Sequence, residues 1–575
     1  MPVGRRSSVG RADAGCARTK GPRLHSRSWI SFRDAQVFMK LMPSRACGFL
    51  FPAILLCASF LFLYRLDHRP LWQDEAETAC LAGSVLEHGV PLAFDGKNFI
   101  SQEEGREFGS DTLWRWSPWL QIYIAAGAFR VGGFTTEAGR FPCALAGLAC
   151  VAMVFLLIRR RFEDPAWALV AALILATSVV FILFSRQCRY YSMGALLATV
   201  SVHAFLGDWQ SRWKPAATLV LALCLLFYAN YLLFFCYAGS AGLAAILVYR
   251  NRLPLVRVSM LACATALLLL PGVFLFRLGQ QSGMLDFTLI FGSLGRYFSD
   301  CFQFIVPLPL VLVLLWKWRD AVLKRRLPED PGERFALFLA LIILFNVTVM
   351  LAVPQQEHRY LLHLYPLAAM LLAWVIRKLW NRQKFAAVLL GLMLAFTNWL
   401  HILPMDWLGI VNRPWQNGPT MLTSPNIPLR LFLTELFSDY PDVNGSLIAF
   451  FNAHARPGDT ILTTYGDLPL QFYTGCRVIG GLQGPALLRG KTPDWVVKRH
   501  YTRRNRELML NASESAALEY IGRSLEYEAI TLPCPDEMYG NRADPYYHRF
   551  IPEREPYQHL VVYRRKVTGD EGSPP

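Results

Sequence analysis

Residues 65–78 read R-L-D-H-R-P-L-W-Q-D-E-A-E-T and follow directly on an apolar run at 48–64 that has the length of a first membrane span. Asp74 and Glu75 therefore stand just outside a bilayer, at the depth where the phosphate of a long-chain lipid carrier lies. A carboxylate fixed there can take the proton of an acceptor as a group leaves such a carrier, which makes this pair the first candidate for catalysis. Three further sets of polar residues fall on the same side of the membrane. One is S-R-Q-C-R-Y-Y at 185–191, whose Arg186 and Arg189 are spaced i, i+3 as on one helical face. The second is Q-E-H-R-Y at 356–360, and the third is the first loop with Glu103, Glu104, Asp111, Trp114, Trp116 and Trp119.

A phosphate leaving group needs donors for its charge, not a general acid, and arginine supplies a permanent, forked one. Arg359 and Arg189 fit that role, with Arg186 and Tyr360 beside them. Transfer of a sugar to a hydroxyl or amine then needs one base, for which Asp74 fits, with Glu75 assisting or holding a divalent cation. Trp116 and Tyr190 would stack on the sugar, and Glu104, Asp111 and His358 are further candidates for substrate contact. Each set also has a plain structural reading. Boundary arginines and tyrosines snorkel to headgroups, loop carboxylates such as Glu103 and Glu104 are solvated, and interfacial tryptophans form an aromatic belt. That reading is weakest for Asp74, because an Asp-Glu pair so near the bilayer has no evident structural use.

Apolar blocks must position these groups. The chain has 575 residues, 54% hydrophobic, 13% aromatic and 17% charged, and its apolar residues are concentrated in long runs, as in a polytopic α-helical membrane protein. A window of about 19 residues gives about eleven spans. They centre near Leu56, Ala149, Ile174, Leu197, Leu223, Gly242, Ala266, Leu310, Ile343, Met370 and Leu390, and the stretch 216–248 must break near Asn230. With the N-terminus inside, the short inner loops carry 18 Lys and Arg against 5 on the other side. The net charge of +16 is thereby explained as membrane anchoring, and nucleic-acid binding is excluded as its cause.

This topology divides the chain into a tail at 1–43, a membrane domain at 44–402 with its first loop at 65–137, and a domain at 403–575 on the far side. The tail is either a cytoplasmic extension or the product of an upstream start, with Met39 or Met42 as the true one. In the first loop, 118–129 reads as a helix lying along the interface. The C-terminal part reads as short α/β units: helices at 446–454 and 468–473, and strands at 459–464, 477–479, 495–498 and 560–563. The 13 cysteines form no CxxC or Cys/His cluster. Cys476 and Cys534 alone could join as a disulfide.

The run R-P-L-W-Q-D-E-A at 69–76, S-R-Q-x-R-Y-Y, H-R-Y-L-L-x-L-Y-P at 358–366 and P-G-D-T-I-L-T-T-Y-G-D at 457–467 resemble the GT-C glycosyltransferases. The resemblance is to the bacterial branch related to protein O-mannosyltransferases and the aminoarabinose transferase ArnT, and it covers roughly 45–565. It implies a sugar donor on undecaprenyl or dolichyl phosphate, inversion at the anomeric centre, Asp74 as the catalytic carboxylate, and Arg359 with Tyr360 near the carrier phosphate. It implies a multi-pass protein of the bacterial inner membrane with a periplasmic C-terminal domain. The partners it implies are the donor, membrane lipids and a lipid, glycan or protein acceptor. ArnT-like proteins carry Glu-Lys-Pro later in the first loop, where this chain has Trp116-Ser117-Pro118, keeping only the proline. Glu104 or Asp111 are the replacements for the missing carboxylate. Two other classes, a lipid-linked sugar transporter or flippase and a non-catalytic glycan-assembly protein, remain open. The first would favour charges inside spans and internal repeats, which the sequence does not show.

Overall fold

The computed structural model describes residues 44–250, 253–281, 288, 290–323, 326–353, 357–410, 421–439, 442–484, 487, 492–499, 512–523, 526–536, 541–552 and 556–566. Residues 50–575 form one compact unit; of residues 1–49 only the start of the first helix, Ser44–Leu63, is described, so the tail at 1–43 and Gln356 lie outside the described residues.

The apolar blocks are helices of a multi-pass membrane protein. Five are long and apolar enough to cross a membrane, and up to eight if three bent pairs each count as one span, with three shorter apolar helices besides. Every centre named above falls in one of these helices or bent pairs, of which five to eight qualify as spans by length and composition among the described residues. The bends have local causes. Ser178 leaves helical geometry (φ −69°, ψ 101°) between Pro165–Thr177 and Val179–Ser185, which meet at 64°. Thr397 is extended between Lys384–Phe396 and Trp399–Trp407, which meet at 87°. Beside it the Asn398 amide donates to the carbonyls of Leu422 and Ser424, holding the next segment across the break. The helices Trp213–Ala229 and Tyr231–Tyr249 do part at Asn230, whose side chain caps the second by accepting from the Leu233 N–H at 2.9 Å.

The first loop holds the helix Gln73–His88 and, in place of the expected 118–129, the helix Leu120–Gly132. Ile122, Ala125, Ala126 and Phe129 pack against Ala76, Ala79 and Leu81, while Tyr123 and Val131 remain exposed. The C-terminal part is a five-stranded sheet in the order β2-β1-β3-β5-β4. Strands β1 (Thr460–Thr463), β2 (Arg477–Gly480) and β3 (Trp495–Val497) are parallel, and β4 (Tyr527–Pro535) and β5 (His559–Arg565) are antiparallel additions. The helices Val443–His454 and Asp467–Tyr473 match the expected ones within a few residues. Strand β4 was not expected: its sequence, Y-E-A-I-T-L-P-C-P, has two prolines, which an edge strand tolerates. Cys476 and Cys534, the one pair that could join as a disulfide, are free buried thiols in one apolar cluster.

Candidate active site

The helix Gln73–His88 begins with two acids in its first turn, where the positive end of the helix dipole favours them. Adjacent residues on a helix leave it about 100° apart, and here the two carboxylates part company. Glu75 accepts from the Trp72 N–H at 3.3 Å and from Arg140 Nε and Nη2 at 2.8 and 2.7 Å, and the Cys188 N–H reaches it at 2.8 Å. It is fully buried and does not line the cavity described next, which corrects its expected place beside the reacting atoms. Arg140 also donates to the carbonyls of Leu66, Arg69 and Pro70, so this pair ties the helix start to Thr136–Phe162.

Asp74 lines a cavity enclosing about 1330 Å³ of empty space that includes open solvent. Its carboxylate accepts from Arg359 Nη1. Arg189 Nη1 donates to the Asp74 carbonyl at 3.0 Å, to Glu77 at 2.8 Å and to the Thr78 hydroxyl at 3.0 Å. Arg542 comes from the C-terminal part, lies over the Trp72 ring and donates to Glu357 at 2.6 Å. Three guanidiniums on one cavity are thus each answered by a carboxylate. Burial pushes the Asp74 carboxyl up, but Arg359, Arg189 and Arg542 outweigh it and hold the group below the usual carboxylate range. Glu357 is likewise held down, by Arg542, Arg359 and Arg296 against its burial. Glu103 behaves in the opposite sense: burial and the neighbouring Glu107 raise it to about 7.

Tyr190 and Tyr360 lie under the Arg189 and Arg359 guanidiniums and line the same cavity, as does Trp116, whose carbonyl accepts from the Tyr231 hydroxyl at 2.7 Å. The cavity therefore gathers Asp74, Arg359, Arg189, Tyr360, Tyr190 and Trp116 from the sequence candidates. Four others lie elsewhere. The helix ends at Ser185, so Arg186 does not share a helical face with Arg189; it donates to the carbonyls of Leu61, Phe62, Tyr64 and Arg65 and caps the first helix. Asp111 is exposed and paired with Arg115, which holds its carboxyl low. Glu104 takes a positive φ of 60° and bonds through its N–H to the Leu482 carbonyl. His358 is sealed, its Nε2 sharing a hydrogen bond with the Tyr365 hydroxyl at 2.8 Å. The lining also includes Glu77, Gln102 and Arg542, which the sequence did not single out, and Glu103 and Glu357, to which it gave no role in the reaction. Among the described residues no group of three or more His, Cys, Asp and Glu side chains is gathered as metal ligands would be.

Comparison with known proteins bears on the fold. The structure matches that of ArnT from Cupriavidus metallidurans bound to undecaprenyl phosphate with a TM-score of 0.55 at 12% identity, over 90% of this chain and 98% of that one. The fold is that of the GT-C glycosyltransferases. The apo form of the same ArnT matches at 0.53 and 13% identity with the same coverage. The S. cerevisiae protein O-mannosyltransferase Pmt1-Pmt2 complex bound to the sugar donor matches over 44% of this chain and 36% of that one, at 16% identity and a TM-score of 0.31. In sequence, residues 117–276 match the model of the dolichyl-phosphate-mannose-protein mannosyltransferase family. No curated protein matches in sequence. In this chain the first loop, through Asp74, and the C-terminal part, through Tyr465, Leu482 and Arg542, line the same cavity.

Proposed function

We propose that this protein is an inverting glycosyltransferase that moves a sugar from a polyprenyl-phosphate carrier to an acceptor on the outer face of a bacterial inner membrane. The observation that carries the reading is the Asp74–Arg359 pair at a cavity that also receives Arg189, Tyr190, Tyr360 and Trp116. The GT-C fold and the undecaprenyl phosphate held by the similar ArnT support it. The C-terminal sheet would then face the periplasm and the N-terminus the cytoplasm.

In the proposed step the carrier phosphate takes hydrogen bonds from Arg359 and Arg189, competing with the carboxylates that hold them at rest. Arg359 turning to the phosphate frees Asp74. The acceptor's nucleophilic atom attacks the anomeric carbon from the face opposite the phosphate, its proton passes to Asp74, and the C–O bond to phosphate breaks with its electron pair on the phosphate. The products are the glycoside and free polyprenyl phosphate. Tyr190 and Trp116 offer ring faces to the sugar. Glu75 acts at one remove, by holding the helix start against Arg140.

The test is release of free polyprenyl phosphate from a panel of labelled polyprenyl-phosphate sugars, with purified protein and membrane extract as acceptor source. Release by wild type and not by Asp74→Asn is expected. Equal release by both would remove Asp74 from the chemistry.

A further inference from the structure

The cavity lining has a second region, unlike the arginine-rich one. It is formed where the turn at 101–107 meets the C-terminal sheet and includes Gln102, Glu103, Tyr465 and Leu482. Tyr465 lies two residues beyond the carboxyl end of β1, and Leu482 two beyond that of β2. From β1 the chain passes to β2 on one side and then to β3 on the other, and all three run parallel. The carboxyl ends beside such a reversal are where open α/β sheets hold ligands. This sheet therefore presents its ligand-binding edge to the cavity.

The junction is held in one geometry. Gly480 and Gly481 have φ of 108° and 59°, and a Cβ on them would lie 2.0 Å from the Thr463 carbonyl oxygen and 1.9 Å from Asp467 Oδ1, so only glycine fits this turn. The turn delivers Leu482, whose carbonyl accepts from the Glu104 N–H at 3.2 Å. Across the same seam Asn98 Oδ1 accepts from the Val478 N–H at 2.8 Å and the Gln483 amide donates to the Phe99 carbonyl at 2.9 Å. Within 101–107, Glu107 accepts from the Ser101 hydroxyl at 2.9 Å and the Glu103 N–H at 2.7 Å. The backbone under Glu103 is thus fixed. Its side chain is 40% exposed and, among the described residues, ion-pairs with Arg106 alone, at 3.9 Å.

Resting on the transferase reading, we infer that Glu103, Gln102 and the carboxyl ends of β1 and β2 form the acceptor subsite, and that the acceptor presented there is a carbohydrate. A carboxylate with spare lone pairs, an amide and a tyrosine ring are the groups that bind a sugar's hydroxyls and its apolar face. Glu103 receives the acceptor's hydroxyl hydrogen bonds and orients the attacking oxygen toward Asp74. The charged groups acting on it are Glu107 and Glu77, which raise its carboxyl, and Arg106 and Arg359, which lower it; with burial the first of the causes, it titrates at about 7. The ionised form accepts hydrogen bonds best, so acceptor use rises with pH through neutrality.

The experiment uses the full chain in nanodiscs with its active polyprenyl-phosphate sugar and a membrane glycolipid extract of measured hexose content, comparing wild type, Glu103→Gln and Glu103→Asp from pH 5.5 to 8.5. The expected result is that Glu103→Gln raises the acceptor KM at least tenfold, moves the donor KM less, and flattens the rise of kcat/KM near pH 7, with partial rescue by Glu103→Asp. Transfer by Glu103→Gln with wild-type acceptor KM and pH profile would overturn this inference and leave the transferase reading standing. Absence of polyprenyl phosphate release by wild type from every donor would overturn both.

Discussion

Asp74 and Glu75 are neighbours on one helical turn, each paired with an arginine from another part of the chain, yet one pair lines an open cavity and the other is sealed against Thr136–Phe162. Glu75 and Arg140 exhaust each other: the carboxylate accepts from Arg140, two backbone N–H groups close its remaining lone pairs, and the guanidinium adds three carbonyls. Such a pair cannot accept a ligand without unfolding its surroundings, so its effect is on geometry. Arg359 and Asp74 can exchange partners with something that enters the cavity. The difference is one of access: the first ion pair can be reached from the cavity and the second cannot.

The sharpest way to break this contrast is to neutralise each acid in turn. Asp74→Asn is expected to cut transfer by roughly 10²–10⁴-fold, the usual worth of a general base, while the thermal unfolding midpoint in detergent stays within a few degrees of wild type. Glu75→Gln should do the reverse. It leaves Arg140 buried without its counter-charge and is expected to cost about 3–5 kcal/mol of stability, read as a lowered midpoint, with activity per folded molecule within about tenfold of wild type. If Glu75→Gln folded normally and lost transfer, the two faces would have to exchange roles.

A second sealed cluster extends the comparison to pH. Glu435 is bound by Arg69 at 3.0 Å and His548 Nε2 at 2.8 Å, close to the segment of chain that carries Arg542. Burial raises its carboxyl, but Arg69 and His548 bring it down to about 2 from an ordinary 4.5. Its folded pKa is the lower one, so its contribution is complete above about pH 4.5 and is lost as pH falls through 2. Wild type should therefore lose stability on acidification over that window, by on the order of 3 kcal/mol from this group. Glu435→Gln should start less stable and show a shallower acid slope in the same detergent scan. A smaller effect is expected from Arg542→Ala, which removes one cavity cation and leaves the Asp74–Arg359 pair in place: a donor KM raised about tenfold, equivalent to about 1.4 kcal/mol. The smallest belongs to the exposed Asp111–Arg115 pair, where Asp111→Asn should leave both the unfolding midpoint and transfer unchanged.

Much of the framework was legible in the sequence because apolar runs and their breaks are local signals. The helices around Ala149 and Met370, the break at Asn230 and the strand at 460–463 need only a window of residues to be seen. The cavity was legible in part, through Asp74, Arg189 and Arg359, because charge beside an apolar block is conspicuous. The division of labour between Asp74 and Glu75 was not, since it depends on which way a helical turn faces. Arg186 misled because its i, i+3 spacing to Arg189 presumes a helix that ends at Ser185. Arg542 carries no local mark; its partner Glu357 is 185 positions away in the chain. Glu103 looks like any loop carboxylate until the sheet closes over its turn.

The path of the chain through the cavity also sets an order of assembly. Asp74 is made early, and Arg542, on the segment between β4 and β5, comes after all the described membrane helices and most of the C-terminal sheet. Until that segment docks, through Arg542 on Glu357 and His548 on Glu435, one side of the cavity is missing. A chain cut before Arg542 therefore keeps Asp74 and Arg359 but lacks the cavity wall that Arg542 provides.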